Sequence, residues 1–374
     1  ALTNERARAA WLAGRSGLEA GLCGEQAGPV QAAIDEIVAQ TTIPLIQGSL
    51  REAFEVDEEG GAADADGVVE IAEGWAFVFP LLPLIDRCSP SAAQLIRDNM
   101  YLNADPIMRD GYHAVREAFE SVYGCLGITC ADVGVMHTCG EQGDEACWET
   151  DCREAGLPEP ADFTLAVYSP AVPEKAAFDQ ELFEISEATR TPRDVTAALE
   201  AYERPSTGLS IKLMASFRPN DPNLFPLDRV YSTYWDSATW ADDFTTAAIL
   251  GTGDFEGWDD ASLRELATKG AAYANVQQYV YALLQEGVAQ CDPTLWDDAW
   301  AYFAGATEGP DGSGSGYSVY ALADKRCPQF LTCAEGAQSD LALTNERARA
   351  AWLAGRSGLE AGLCGEQAGP VQAA

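Results

Sequence analysis

The chain carries one stretch of sequence twice. "ALTNERARAAWLAGRSGLEAGLCGEQAGPVQAA" occupies residues 1–33 and recurs, without one substitution, as residues 342–374. Chance does not produce identity at that length, and an internal repeat governs how everything between its copies is parsed. The offset is 341 residues. Three arrangements give such a pattern: one period plus an overlap of a longer tandem array, a duplicated terminal helix, or a mature protein with two equivalent end segments. The junction favours the first. "CAEGAQSDLALTNERARAAWLAG" holds no Pro-, Gly- or Ser-rich linker and reads as a loop entering a helix inside a domain. The repeated segment therefore sits within a unit. Residues 1–138 read as the closing half of one unit, 139–162 as a Cys/Pro-rich inter-unit linker, and 163–374 as the opening part of the next. The linker stretch "TCGEQGDEACWETDCREAGLPEPA" is acidic and lacks periodicity.

Hydrophobic spacing makes most of the chain helical. Residues 1–23 form a helix with Trp11, Leu18 and Leu22 on one face. Gly14, Gly17 and Gly21 weaken it, yet let a neighbour approach closely. Val30, Ile34, Ile37, Val38 and Thr41 form the next stripe, which Pro44 ends or kinks before "PLIQGSLREAFEV" continues helically. "VVEIAEGWAFVFPLLPLI" is an apolar helix broken near Pro80 and Pro83, and "SPSAAQLIRDNM" starts on an N-cap serine. Met108, Tyr112, Val115, Phe119 and Val122 share a face. "FTLAVYS" reads as a short strand, and "RPNDPNLFPLDR" as a loop. Beyond Pro192 the segments "WADDFTTAAILGTG", "SLRELATKGAAYANVQQYVYALLQEGVAQC", "PTLWDDAWAYFAGA" and "YSVYALADKRC" are helices. The expected fold is mainly α: a disulfide-stapled multi-helix domain, repeated in tandem, with few short strands.

Fifty-nine acidic against 23 basic residues leave a net charge of −36. The repeated segment is neutral: Arg347, Arg349 and Arg356 balance Glu346, Glu360 and Glu366. Lysine occurs only at Lys175, Lys212, Lys269 and Lys325. Such a balance disfavours nucleic acid and anionic membranes as partners. It suits salty water, cation binding or plain solubility. No apolar run is long enough to cross a bilayer. No signal peptide is visible at Ala1, as expected of a mature form or of a window that begins inside a protein.

The cysteines are Cys23, Cys88, Cys125, Cys130, Cys139, Cys147, Cys152, Cys291, Cys327, Cys333 and Cys364. Cys364 repeats Cys23, so one period holds an even number, as a disulfide framework in an oxidising compartment requires. No C-x-x-C spacing points to zinc. Cys125/Cys130 and Cys327/Cys333 can each close a short loop. Cys139, Cys147 and Cys152 suit either a local staple or a bridge that fixes the angle between units.

Eight segments together resemble the algal iron-assimilation proteins, also called low-iron-inducible periplasmic proteins. "IPLIQGSLREAF", "AEGWAF", "IRDNM" and "CLGITCADVG" lie in the first half; "YWDSATWADDFTTAAILGTG", "NVQQYVYALLQE", "WDDAWAYFAGATEG" and "YALADKRCPQFLTC" lie in the second. The likeness covers most of the chain in the permuted order described. It implies a secreted, Cys-containing protein built from tandem units, with a part in iron uptake. The sequence also departs from the family pattern. Ala282 and Leu283 stand where a His-Glu pair is usual, Thr294 or Leu295 where a His is common, and Asp298 where Glu is usual. Those departures remove imidazole and carboxylate ligands that iron takes from protein.

Glu73 and Asp298 each precede a Trp by two residues on an apolar helix. Carboxylates on facing helices can hold a metal, although the Glu-x-x-His motifs of di-iron bundles are missing. Equally, they can be half-buried acids bonded to Arg, Trp or backbone. Asp324 and Glu308 are candidates of the same kind. "ADADGVVEIAE" aligns with a calcium loop when Gly67 takes position 6. Asp64, Asp66, Glu70 and Glu73 then fall on ligand positions 3, 5, 9 and 12, but Ala62 holds position 1, where Asp is needed. Iron and calcium are thus the metals to weigh. His113 is either a ligand or a structural residue beside an apolar face.

No nucleophile elbow, catalytic triad, P-loop or dinucleotide fingerprint occurs, so no enzyme is expected. Two readings remain. One is an extracellular or periplasmic structural repeat protein, whose partners are neighbouring copies of the same unit in a filament or surface array. The other is a secreted iron-binding protein.

Overall fold

The computed structural model describes residues 28–57, 65–136, 173–205, 208–217, 226–290, 292–306, 316–333 and 342–361. The expected strand at 163–169, the linker 139–162 and most of the first copy of the repeated segment lie outside them.

At the centre stands α1 (Gly28–Asp57), a single helix that carries Pro44 within it. Proline removes the N–H that would bond the carbonyl four residues back. Just before it, the Thr41 and Thr42 hydroxyls turn onto the Ile37 and Val38 carbonyls at 2.9 and 2.7 Å. A helix that is buried on every side must hide polar groups as well as apolar ones. Ile34, Ile37, Ile43, Ile46 and Leu50 are buried, and so are Gln40, Thr41, Gln47, Ser49 and Glu52. Their partners tie α1 to distant segments: Gln47 Nε2 donates to the Val133 carbonyl at 2.8 Å, and Thr41 shares a hydrogen bond with the Tyr281 hydroxyl at 2.8 Å.

Across α1 lies α2 (Ala65–Val78). The two meet at Gly48, where a Cβ would stand 2.9 Å from the Phe77 ring. The expected break comes after Val78. The chain turns by 56° into α3 (Leu82–Cys88), with Pro83 in the first turn. Ser89 then caps α4 (Pro90–Met100), accepting from the Ala92 N–H at 3.3 Å. Asp57 at the end of α1 accepts from the Tyr112 N–H at 2.7 Å and so fixes the start of α5 (Gly111–Glu120). Met108, Tyr112, Val115, Phe119 and Val122 are all buried, as their spacing requires.

The longer of the remaining helices are α6 (Asp179–Ala188), α7 (Val195–Glu203), α8 (Pro226–Trp235), α9 (Trp240–Leu250), α10 (Asp260–Lys269), α11 (Gln277–Gln290), α12 (Pro293–Ala304), α13 (Val319–Phe330) and α14 (Leu343–Glu360). A wide-turned helical stretch, Gly270–Val276, joins α10 to α11. At its start a Cβ on Gly270 would stand 2.7 Å from the Phe244 ring. Buried Asn275 in this stretch donates to the Tyr202 hydroxyl at 2.6 Å and accepts from Thr245 at 3.1 Å. Such wide turns hold a local register that a regular helix would shift.

Among the described residues no strand occurs, only one isolated antiparallel bridge between Cys333 and Ala342. Two expectations need correcting. The end of the expected loop, residues 226–229, is helical: Pro226 opens α8, since a proline loses nothing at the first helical position. Cys125 does not pair with Cys130. It bonds Cys88 at the end of α3, while Cys327 and Cys333 form the expected short loop.

One hydrophobic cluster runs from Val30 in α1 to Leu359 in α14. The two parts that the sequence assigns to consecutive units, before and after the linker, share that cluster. No single helix among the described residues is long and apolar enough to cross a membrane.

Candidate functional site: the seat of the repeated helix

Helix α14 is the second copy of the repeated segment. Its contact with α1 is the most extensive between any two described helices. Leu343, Ala348, Trp352, Gly355, Gly358 and Leu359 form its buried stripe at helical spacing.

Its first turn is held by polar groups. Asp324 Oδ1 accepts from the Ala342 N–H at 2.7 Å and from Asn345 Nδ2 at 2.8 Å. Asn345 also donates to the Tyr320 carbonyl at 2.9 Å. The Leu343 N–H donates to the Thr332 carbonyl at 3.0 Å, and Thr332 in turn touches Gln47 of α1 at 3.3 Å. The start of α14 therefore lies beside the middle of α1.

Two tryptophans lock the middle of α14. The Trp296 indole donates to the Trp352 carbonyl at 2.7 Å, and the Trp352 indole donates back to the Trp296 carbonyl at 3.0 Å. Trp352 also stacks on Phe303 and meets Trp300 edge-on, with ring centroids 5.2 and 5.0 Å apart. The approach needs a glycine. A Cβ on Gly355 would stand 2.1 Å from the Trp296 ring. The close approach expected at Gly14 is thus met at its counterpart.

Arginines clamp the flanks. Arg347 bonds Asp132, and Arg356 forks onto Asp297 at 2.6 and 3.1 Å. Nine residues of helix are two and a half turns, which puts the two arginines on opposite sides. Hydrogen bonding to Asp297 raises the Arg356 guanidinium further above its usual value. A chain of charge −36 thus meets its neutral repeated segment through that segment's arginines. Glu346 is buried within the seat, and burial pushes its carboxyl up, with Arg349 opposing.

The candidate ligands fall in separate places. Asp324 belongs to the seat. Asp298 on α12 pairs with Lys175, and Glu73 on α2 pairs with Lys269. Burial pushes the Glu73 carboxyl up, but Lys269, with Arg326 and Lys325 behind it, more than reverses this and leaves it below the ordinary value. Glu70 lies on α2, half-buried. His113 packs against Tyr112 with centroids 5.5 Å apart. Glu308, Asp64 and the Asp66 side chain lie outside the described residues, as do Cys23, Cys139, Cys147, Cys152, Cys291 and Cys364. Among the described residues no group of three His, Cys, Asp or Glu side chains converges as a metal site would. Ala282 and Leu283 are buried in the core.

Sequence reasoning passed over Trp296, Asp297, Asp132 and Thr332, which build the walls of the seat. The available signal was on the helix itself: one Trp, one Gly a turn later, and two Arg on opposite flanks of an otherwise small-residue segment. Comparison with protein-family models, with curated proteins and with solved structures gives no match to this chain.

Proposed function

We propose that the chain is a structural repeat module of an extracellular assembly, in which the helix of the repeated segment closes each unit against α1. The observation that carries this reading is the seat itself. The second half of α14 meets α12, which packs on α11, and α11 reaches the N-terminal half of α1 through Tyr281 and Thr41. Having started beside Gln47, α14 packs extensively on α1, and on this reading it runs back toward the start of that helix. Residues 361–368, which follow it, have the sequence of 20–27, which lead into Gly28 of α1. On this reading helix, short connection and α1 form an antiparallel pair, as neighbours joined by a short loop do. In a tandem array that pair is continuous within each unit.

Head-to-tail contacts that do not close generate filaments, and covalent tandem linkage enforces the geometry. The disulfides Cys88–Cys125 and Cys327–Cys333 support an oxidising compartment, extracellular or periplasmic. The strong negative charge supports solubility there. The iron reading rests on the family resemblance, and Glu73, Asp298 and Asp324 each already hold a partner within the chain.

The test is the reduced, denatured mass of the native material. A species several times the 39.9 kDa of this chain is expected. A single species of that mass, with nothing larger, would sink the array. For the iron reading, stoichiometric and saturable binding of iron to metal-free protein is the result that would revive it.

A further inference from the structure

A polar cleft of about 250 Å³ opens between α2, α10 and α13. Two of the four lysines of this acidic chain, Lys269 and Lys325, line it together with Arg264. Two carboxylates, Glu73 and Glu265, face them.

Most of these charges are spent. Lys269 bonds Glu73, lies 3.2 Å from Glu265, and sits 4.7 Å above the Phe77 ring. Arg264 donates to Ser186 Oγ at 2.9 Å and lies 3.5 Å from Glu265. Behind the wall, Arg326 is committed to Glu52 at 2.8 Å. Lys325 is not spent: among the described residues no carboxylate stands within ion-pair distance of its ammonium. Neither is Thr268. Its hydroxyl is buried in the cleft wall without a hydrogen-bond partner, on a residue only 4% exposed. A buried polar atom left unpaired is costly and asks for a partner.

We propose that this cleft binds a small monocarboxylate, whose oxygens accept from the Lys325 ammonium and the Thr268 hydroxyl. The charge count selects the class. Among the described residues three cations face two carboxylates, so the described wall lacks one negative charge. A dianion such as phosphate would bring its second charge against Glu73 and Glu265. Leu322, Ala321 and the stacked pair Phe77 and Tyr273, 5.6 Å apart, offer an apolar side for a short tail. Burial, then the neighbouring Arg326 and Lys269, pull the Lys325 ammonium below the usual lysine value, a strain that a bound anion relieves. This inference does not rest on the array reading.

Calorimetric titration of the full chain with sodium butyrate, against sodium chloride at matched ionic strength, tests it. One saturable site is expected. Lys325→Met should weaken it about tenfold or more, the worth of one charge-assisted hydrogen bond. Lys325→Arg should hold affinity within a few-fold, and phosphate should bind more weakly than butyrate. Because Lys325 holds no ion pair among the described residues, the variants should keep the parent's thermal midpoint, measured on the same samples. No saturable heat with the parent chain, or binding that survives Lys325→Met, overturns the site. Tighter binding of phosphate overturns the class of ligand.

Discussion

Gly355 and Gly14 hold the same place in the two copies of the repeated segment, and Gly355 lies against Trp296. Overpacking at such a contact costs roughly 1–3 kcal/mol. If either copy can take the seat, Gly355→Ala alone should cost little, because the unaltered copy replaces the altered one. Gly14→Ala alone should cost nothing measurable. The double variant should lose the full amount, so the two effects should be strongly non-additive in urea unfolding. Equal losses in Gly355→Ala and in the double variant would mean that the seat takes only the second copy. Another residue-scale test is Glu55. Burial, then Glu52 beside it, push its carboxyl from about 4.5 up to about 8, with Arg51 opposing. The folded state then binds more protons than the unfolded state across that window, so stability falls as pH rises from about 4.5 to about 8. The part belonging to Glu55 is on the order of 2 kcal/mol once its partial exposure is allowed for. Glu55→Gln should remove that part of the slope, and parallel stability curves for parent and variant would refute the assignment. At this scale the sequence was half legible. Close-packing glycines and acids on apolar helices could be read. Which cation each acid meets could not, because Lys269 reaches Glu73, and Lys175 reaches Asp298, only through long-range packing.

Helix α13 is joined to α1 by the most secluded ion pair described, Arg326 with Glu52, each side chain 1% exposed. The bond is 2.8 Å, yet Glu52 Oε2 and Arg326 Nε find no partner. Burying two charges is expensive, and removing one partner strands the other, at roughly 3–5 kcal/mol. Glu52 keeps Arg51 at 3.0 Å, so Arg326→Met should destabilise by the lower end of that range, while Arg326→Met combined with Glu52→Leu should recover part of the loss. Thermal or chemical unfolding of the four-member cycle decides it. A double variant worse than both singles would show that the pair contributes net stability. The elements themselves were largely readable. Helical periods located α1, α5, α9 and α12, and prolines marked the break between α2 and α3. The wide-turned stretch at Gly270 was not readable. It depends on Phe244 of α9 pressing on a glycine, and no local pattern encodes that. Cys125 failed for the same reason, since its nearer neighbour in sequence is not its neighbour in space.

At the scale of the whole molecule, the chain has two copies of one sequence and one described seat, which the helix of the second copy fills. The walls of that seat come from α1, α12 and α13 and from Asp132, and they are the same whichever copy fills it. An identical sequence can make every contact that Trp352, Gly355 and Arg356 make, through Trp11, Gly14 and Arg15. The tethers are comparable too: residues 20–27 lead from the first copy into α1, and residues 334–341 lead from Cys333 into α14. Loop-closure cost grows only slowly with length, so neither copy is strongly preferred by its tether. Deleting residues 342–374 should therefore leave a folded, cooperatively unfolding chain, closed by the first copy. Deleting residues 1–27 should do the same with the second. Deleting both should expose Trp296, Trp300 and Phe303. That chain should lose cooperative unfolding or bind a synthetic peptide of residues 342–361 in trans. Circular dichroism and peptide-binding fluorescence on the three chains separate the outcomes. If removing residues 342–374 alone unfolds the protein, the copies are not equivalent, and the closed unit inferred from their identity fails with them.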